Sequence, residues 1–175
     1  VLILIIIAVH SLKFLYKQDV IYEPDLTIKA IGYQWYWEYE YPDNGNFSYE
    51  AFMVQSEDEL EEDKPFKRML TTDTKVVVPV NKIIRMQITA ADVLHSWAVP
   101  AFGVKKDAVP GRLNETWFKP EKTGIFYGMC SELCGVNHQS MPIEIHVVTE
   151  QEFNDWVEES KLKYAAKNNL IANKK

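Results

Sequence analysis

Residues 130–141 read C-S-E-L-C-G-V-N-H-Q-S-M, and no other stretch restricts the chain so tightly. Both cysteines of the protein, one of its four histidines and one of its five methionines fall inside it. Gly128 and Gly135 interrupt a helical reading and a strand pattern starts at Pro142, so the window is expected to be a loop between two strands. Thiolate, imidazole and thioether donors together select copper among the first-row metals, whereas carboxylate and carbonyl oxygens suit magnesium or calcium. A mononuclear blue-copper centre uses one Cys, two His and a weak axial Met; a second Cys four positions away suggests two metals bridged by two sulfurs. Three other uses of the pair stand beside this one: a short disulfide, a zinc site completed by histidines, and buried thiols with no task. Met141 weighs against zinc, which has little use for a thioether.

The rest of the chain supplies the frame for that loop. Residues 1–9, V-L-I-L-I-I-I-A-V, form an unbroken apolar run that continues weakly through Leu12, Phe14 and Leu15. A membrane helix needs about 20 mostly apolar residues, so residues 1–18 read as the last part of a transmembrane helix; they lack the basic region of a signal peptide. His10 is expected at the interface and not as a ligand. Residues 19–25 read as a linker, residues 26–149 as a β domain and residues 150–175 as a helix and tail. Tyr33, Trp35, Trp37, Tyr39 and Tyr41 alternate with Gln34, Tyr36, Glu38 and Glu40, the period of a strand with one aromatic face. Further strands are expected at 76–80, 83–89, 96–99, 114–118, 125–129 and 143–148, with Pro, Gly and Asn between them. This spacing implies a mainly β Greek-key sandwich or barrel. Thr149 and Glu152 match a capping box, and Phe153, Trp156, Val157 and Tyr164 have helical spacing, which predicts a C-terminal amphipathic helix.

Single histidines on apolar faces are ordinarily satisfied core residues, and His95, sharing a strand face with Trp97 and Val99, is open to that reading. His146 alternates with Glu144 onto a polar face and is expected to be exposed and uninvolved in binding. The run E-D-E-L-E-E-D at 57–63 reads as a solvated loop. Its charge, and the formal net charge of −6, disfavour a nucleic-acid partner and favour a cationic one steered by long-range attraction.

Three stretches, D-V-L-H-S-W-A-V-P at 92–100, D-A-V-P-G-R-L-N at 107–114 and the window itself, resemble cytochrome c oxidase subunit II in its binuclear copper A domain. The likeness runs from about residue 33, where Q-W-Y-W matches the family's aromatic stretch, to about residue 148. It implies a cupredoxin-like fold behind transmembrane helices. It implies that Cys130 and Cys134 bridge two coppers, that His95 and His138 each bind one, that Met141 is a weak axial ligand and that Glu132 gives its carbonyl oxygen. The Glu132 side chain would reach a magnesium ion at the boundary with subunit I. It further implies that the basic carrier cytochrome c docks on carboxylates, Glu40 and Asp92 matching the pattern, around Trp35 as the electron gateway. By residue type alone, Trp35 belongs to a core stripe.

Nitrous oxide reductase resembles the loop but carries an aromatic residue where Glu132 stands, and the quinol oxidase subunit lacks the Cys and His ligands. The resemblance therefore implies the electron-accepting subunit of a haem-copper oxidase, embedded in the lipid bilayer with other oxidase subunits. It would relay electrons to the haem centres of subunit I for oxygen reduction and proton translocation. The setting it suggests is the mitochondrial inner membrane, with the domain in the intermembrane space; the bacterial plasma membrane and periplasm are the other. Lys13 and Lys17, read by the positive-inside tendency, argue for the electronegative side instead, but large domains translocate largely regardless of charge. The rival from another class is a zinc-stabilised structural β domain without redox role. A freestanding copper carrier conflicts with the apolar N-terminus.

Overall fold

Alternation of apolar and polar residues dictates two sheets, each turning one face inward. The computed structural model describes residues 1–20, 23–60 and 65–172. Among the described residues the domain has ten strands: β1 (Leu26–Tyr33), β2 (Tyr36–Tyr41), β3 (Phe47–Ala51), β4 (Val76–Pro79), β5 (Ile84–Ala90), β6 (His95–Val99), β7 (Val104–Ala108), β8 (Asn114–Phe118), β9 (Gly124–Cys130) and β10 (Pro142–Val148). One sheet has the order β3-β2-β1-β5-β8 and the other β4-β10-β9-β6-β7. The β1–β5 and β4–β10 pairs are parallel and the others antiparallel, so the chain crosses repeatedly between sheets. This is the mainly β sandwich the spacing implied, and it is cupredoxin-like, as the resemblance implied.

The inward rows are Ile28 and Ala30 of β1, Trp37, Tyr39 and Tyr41 of β2, Ile84, Met86 and Ile88 of β5, Trp97 and Val99 of β6, and Ile143 and Ile145 of β10. Each large side chain taken out of water here stabilises the fold by roughly 1.5–3 kcal/mol before entropy is subtracted. The Tyr41 hydroxyl is satisfied within the core: it accepts from Val77 N and donates to Val77 O, both at 3.0 Å, tying β2 to β4 across the sandwich. Burial pushes the Tyr41 and Tyr39 phenols well up, so both stay neutral.

Helix α2 (Glu150–Ala172) starts on a reciprocal capping box. Thr149 N–H donates to Glu152 Oε2 at 2.8 Å, and Glu152 N–H donates to Thr149 Oγ1 at 3.3 Å. The helix packs on the β2–β3 end of the sandwich, with Trp156 edge-on to Tyr41 (5.1 Å) and Phe47 (5.7 Å) and Tyr164 stacked on Tyr49 (5.0 Å). At the other end of the chain, helix α1 (Leu2–Asp19) exposes all its apolar side chains through Val9. Among the described residues, no helix is long and apolar enough to cross a membrane.

Three expectations need revision. The alternation through Tyr33–Tyr41 is not one strand: the chain reverses at Gln34–Trp35, and Tyr33 pairs with Tyr36 across a hairpin, their rings stacked at 4.8 Å. A two-residue turn puts Tyr33 on the opposite face from Trp37. Glu144 and His146 are not an exposed polar pair. Glu144 is buried, accepting from Thr72 N at 2.8 Å and from His146 Nε2 at 2.7 Å, because the 67–74 segment covers that face of β10. Strands β1, β3 and β7 were not among the expected segments; β7, V-K-K-D-A, is an edge strand whose charges hide its period. In the acidic run, Glu57, Asp58 and Glu59 are exposed, while Glu61, Glu62 and Asp63 lie outside the described residues, as do residues 21–22 of the linker and 173–175 of the tail.

Candidate metal centre

At one end of the sandwich β6 and β9 run side by side, with Trp97 opposite Cys130 and Ala98 opposite Met129. That register carries His95, at the start of β6, to Cys130, at the end of β9. From there the loop turns back so that its donors face inward. Cys130 Sγ lies 3.9 Å from His95 Nδ1 and 3.9 Å from Cys134 Sγ, and the two sulfurs are not bonded. Cys134 Sγ lies 3.4 Å from His138 Nδ1 and 3.6 Å from Met141 Sδ. The Glu132 carbonyl oxygen stands 3.4 Å from Cys130 Sγ, while the Glu132 side chain points to solvent. His95, Cys130 and Cys134 alone place three ligand atoms within 4.8 Å of one another.

The donor set decides what such a cluster suits. It offers two thiols, two imidazole nitrogens, a thioether and a carbonyl, which is more than the four donors of a tetrahedral zinc ion and softer than magnesium or calcium accept. Two sulfurs between two imidazoles fit a pair of soft ions. Burial raises the Cys130 thiol, but hydrogen bonding from His95 and from backbone at Glu132 and Ser96 brings it down to about 7. Burial and then the neighbouring Cys130 charge push Cys134 the other way, up to about 12. One sulfur gives up its proton readily and the second resists, as expected for two anions in close contact. A bound cation removes that repulsion, and its binding releases protons.

Around the donors, a second layer holds them in place. Asp92 Oδ1 accepts from His95 Nε2 at 2.8 Å, which leaves Nδ1 turned to the sulfur, the carboxylate–histidine arrangement that orients metal-binding imidazoles. Asp92 also accepts from Gln34 N and Val93 N, both at 2.6 Å. The tip of the β1–β2 hairpin lies over the loop: Gln34 Nε2 and Trp35 Nε1 both donate to the Cys134 carbonyl, at 2.8 and 3.2 Å. Gly135, with φ of 122°, leaves room for that approach; a Cβ there would meet Trp35 Cζ2 at 3.0 Å. Trp37, fully buried, donates to Met141 O at 3.4 Å.

The tertiary structure thus brings together His95, Cys130, Glu132, Cys134, His138 and Met141, with Trp35 half-exposed above them. Asp92 sits in the same cluster as a support for His95. Glu40 does not: it lies at the far end of β2, ion-paired with Lys29 at 3.0 Å. Sequence reading passed over Gln34 and Trp37, whose only visible signal was their place in the aromatic stretch. An apolar rim of Val93, Leu94, Leu133 and Val136 is exposed around the centre.

Asp92 makes a prediction on its own. Burial opposes its ionisation, but the His95 bond and two backbone N–H groups hold its carboxyl below the usual range. Its stabilisation is therefore complete above the ordinary carboxylate range and is lost as pH falls through and below it. Asp92→Asn places an amide nitrogen against at least one of three donors. The variant is expected to unfold at lower temperature than the parent at pH 7, with the gap closing toward about pH 3, as followed by thermal melts across pH.

The family described as "Cytochrome C oxidase subunit II, periplasmic domain" matches residues 26–148. A probable cytochrome c oxidase subunit 2 of Rickettsia bellii is 49% identical over 173 residues, covering 99% of this chain and 61% of the relative. Cytochrome c oxidase subunit 2 of Cereibacter sphaeroides is 48% identical, over 92% of this chain and 58% of the relative. The chain spans about three fifths of the length of these two relatives. Among solved structures, the periplasmic domain of subunit II of cytochrome oxidase from Bradyrhizobium japonicum has a TM-score of 0.76 at 56% identity, covering 83% of this chain and 99% of that one. A mixed disulfide intermediate between the thioredoxin-like TlpA and subunit II of cytochrome c oxidase has a TM-score of 0.72 at 54% identity, over 84% of this chain and 98% of that one.

Proposed function

The chain belongs to the cytochrome c oxidase subunit II family, and from that premise we propose that it accepts electrons from cytochrome c at a binuclear copper A centre. The electrons pass on to the haem centres of subunit I, where oxygen is reduced and protons are translocated. One observation carries the reading: two unbonded sulfurs 3.9 Å apart stand between two imidazole nitrogens, with a thioether and a carbonyl beside them. Cys130 and Cys134 would bridge the metals, His95 and His138 would each hold one, and Met141 and the Glu132 carbonyl would complete the set. Bound there, the copper pair supplies one-electron storage spread over two metals.

The protein's own part is to keep the donors still and dry. His95 is fully buried and braced by Asp92, and the Cys134 carbonyl is held from above by Gln34 and Trp35. A donor set fixed before the electron arrives needs little rearrangement afterwards, which suits relay and not bond-making. Trp35 joins the surface to Cys134 through a single hydrogen bond, a short path with one non-covalent step for an electron arriving from a docked carrier. Docking acids such as Glu40 and Asp92 would act through the field of a chain with net charge −6, since each carboxylate already has a partner here.

The exposed Glu132 carboxylate and the rim of Leu133 and Val136 suit a contact with subunit I, and a magnesium ion at that boundary would use the carboxylate. The apolar α1 would belong to the membrane anchor, with the domain in the periplasm or, in an organelle, the intermembrane space. By likeness to the mixed-disulfide structure, the two thiols would also be open to exchange with a thioredoxin-like protein before metal is loaded.

Metal analysis of the purified protein tests the reading. About two coppers per chain with a purple absorption is the expected result; one zinc and a colourless sample returns the rival structural domain. Trp35→Ala is expected to slow electron uptake from reduced cytochrome c by at least about tenfold, roughly 1.4 kcal/mol of barrier, with the copper spectrum essentially unchanged. Unaltered uptake in stopped-flow traces would remove Trp35 from the route.

A further inference from the structure

The side chains that β1 turns into the core shrink along the strand, from Leu26 and Ile28 to Ala30 and then Gly32. Gly32 lies between Trp37 of β2 and Ala90 of β5. Its backbone is not in the left-handed region, so no turn requires a glycine there. A glycine inside a strand weakens it and marks close approach by another group. The group is the His95 imidazole. A Cβ at position 32 would stand 2.8 Å from His95 Cδ2 and 2.9 Å from Cγ. Carbon atoms pack at about 3.5–4.0 Å, so one methyl group would push the ring by roughly 0.6 Å or more.

The ring has little freedom to yield. It is fully buried, Asp92 holds Nε2 at 2.8 Å, and the Trp37 indole meets it edge-on with centroids 6.0 Å apart. Movement away from Gly32 changes where Nδ1 stands relative to Cys130 Sγ, now 3.9 Å away. We propose that Gly32 is a positioning residue for His95: the bare Cα is the stop on which the imidazole seats, and its lack of a side chain sets the depth at which Nδ1 is presented. The proposal rests on the copper reading only for the spectroscopic half of its test.

That test uses Gly32→Ala in the full chain, alone and combined with His95→Ala. In metal-free thermal melts, Gly32→Ala is expected to lower Tm when His95 is present and to leave it unchanged or raised when His95 is alanine, because the space is then free and alanine suits a strand better than glycine. In the copper-loaded protein, the single variant is expected to shift the visible bands and weaken copper binding by about tenfold or more. Equal Tm changes in the two backgrounds overturn the proposal, as do an unchanged spectrum and affinity in a folded variant. Failure of the single variant to fold while the double variant folds is the expected coupling in its strongest form; failure of both overturns it. Should the parent chain take up no copper, the functional reading falls, and the metal-free cycle still decides whether Gly32 seats the ring.

Discussion

Cys134→Ser is expected to reduce the copper content of the reconstituted protein from about two to at most one per chain and to abolish the purple absorption. Its sulfur is the hub of the cluster, within 3.4 Å of His138 Nδ1, 3.6 Å of Met141 Sδ and 3.9 Å of Cys130 Sγ. A hydroxyl in its place is a hard donor that keeps its proton, so it neither bridges two soft ions nor donates charge to them. No other residue of the chain replaces it, because both cysteines are already in the site. Elemental analysis with an absorption spectrum reads the outcome. Two coppers and parental bands in the serine variant would eliminate the bridged pair.

Trp37→Ala is expected to cost about 3–5 kcal/mol of stability, the usual range for removing a buried Trp, and so to lower Tm by on the order of 10 °C. The indole is fully buried, lies edge-on to His95 and donates to the Met141 carbonyl. Its loss opens a cavity under the centre and frees the segments that carry His95 and Met141 together, so copper affinity is expected to fall along with Tm. Trp35→Ala is the control, two residues away and of the same type. It is half-exposed at the hairpin tip, and its removal should shift Tm far less. Equal melting temperatures for Trp37→Ala and the parent would contradict the packing described above.

That contrast marks where sequence reasoning stopped. Alternation located Trp37, Tyr39 and Tyr41 on the buried face, since period two is a local property of a strand. The same alternation ran on through Trp35 and Tyr33, and there it misled. Gln34–Trp35 carries none of the Gly, Asn or Asp chemistry that announces a tight turn, so nothing local signalled the reversal. Glu144 is a similar case. Its strand pattern called for a solvated face, and only the coverage by 67–74, held through Thr72, makes it a buried acceptor.

The centre divides along the same line. Cys130, Cys134, His138 and Met141 were legible because four donors of one chemical character within a single loop reach a common point wherever the loop sits. His95 was legible by resemblance, but its arrival depends on the β6–β9 register across 35 residues of chain. Gln34, Trp37 and Gly32 carried no chemistry to notice.

Composition and spacing, then, determined the kind of donor, the β architecture and the capped C-terminal helix, since each follows from neighbours a few residues apart. The tertiary structure alone decided which aromatic residue supports the centre and which stands over it, which carboxylate braces His95 and why a strand gives up its side chain at position 32. Those depend on distances between segments remote in sequence, and such distances exist only once two sheets have closed on each other.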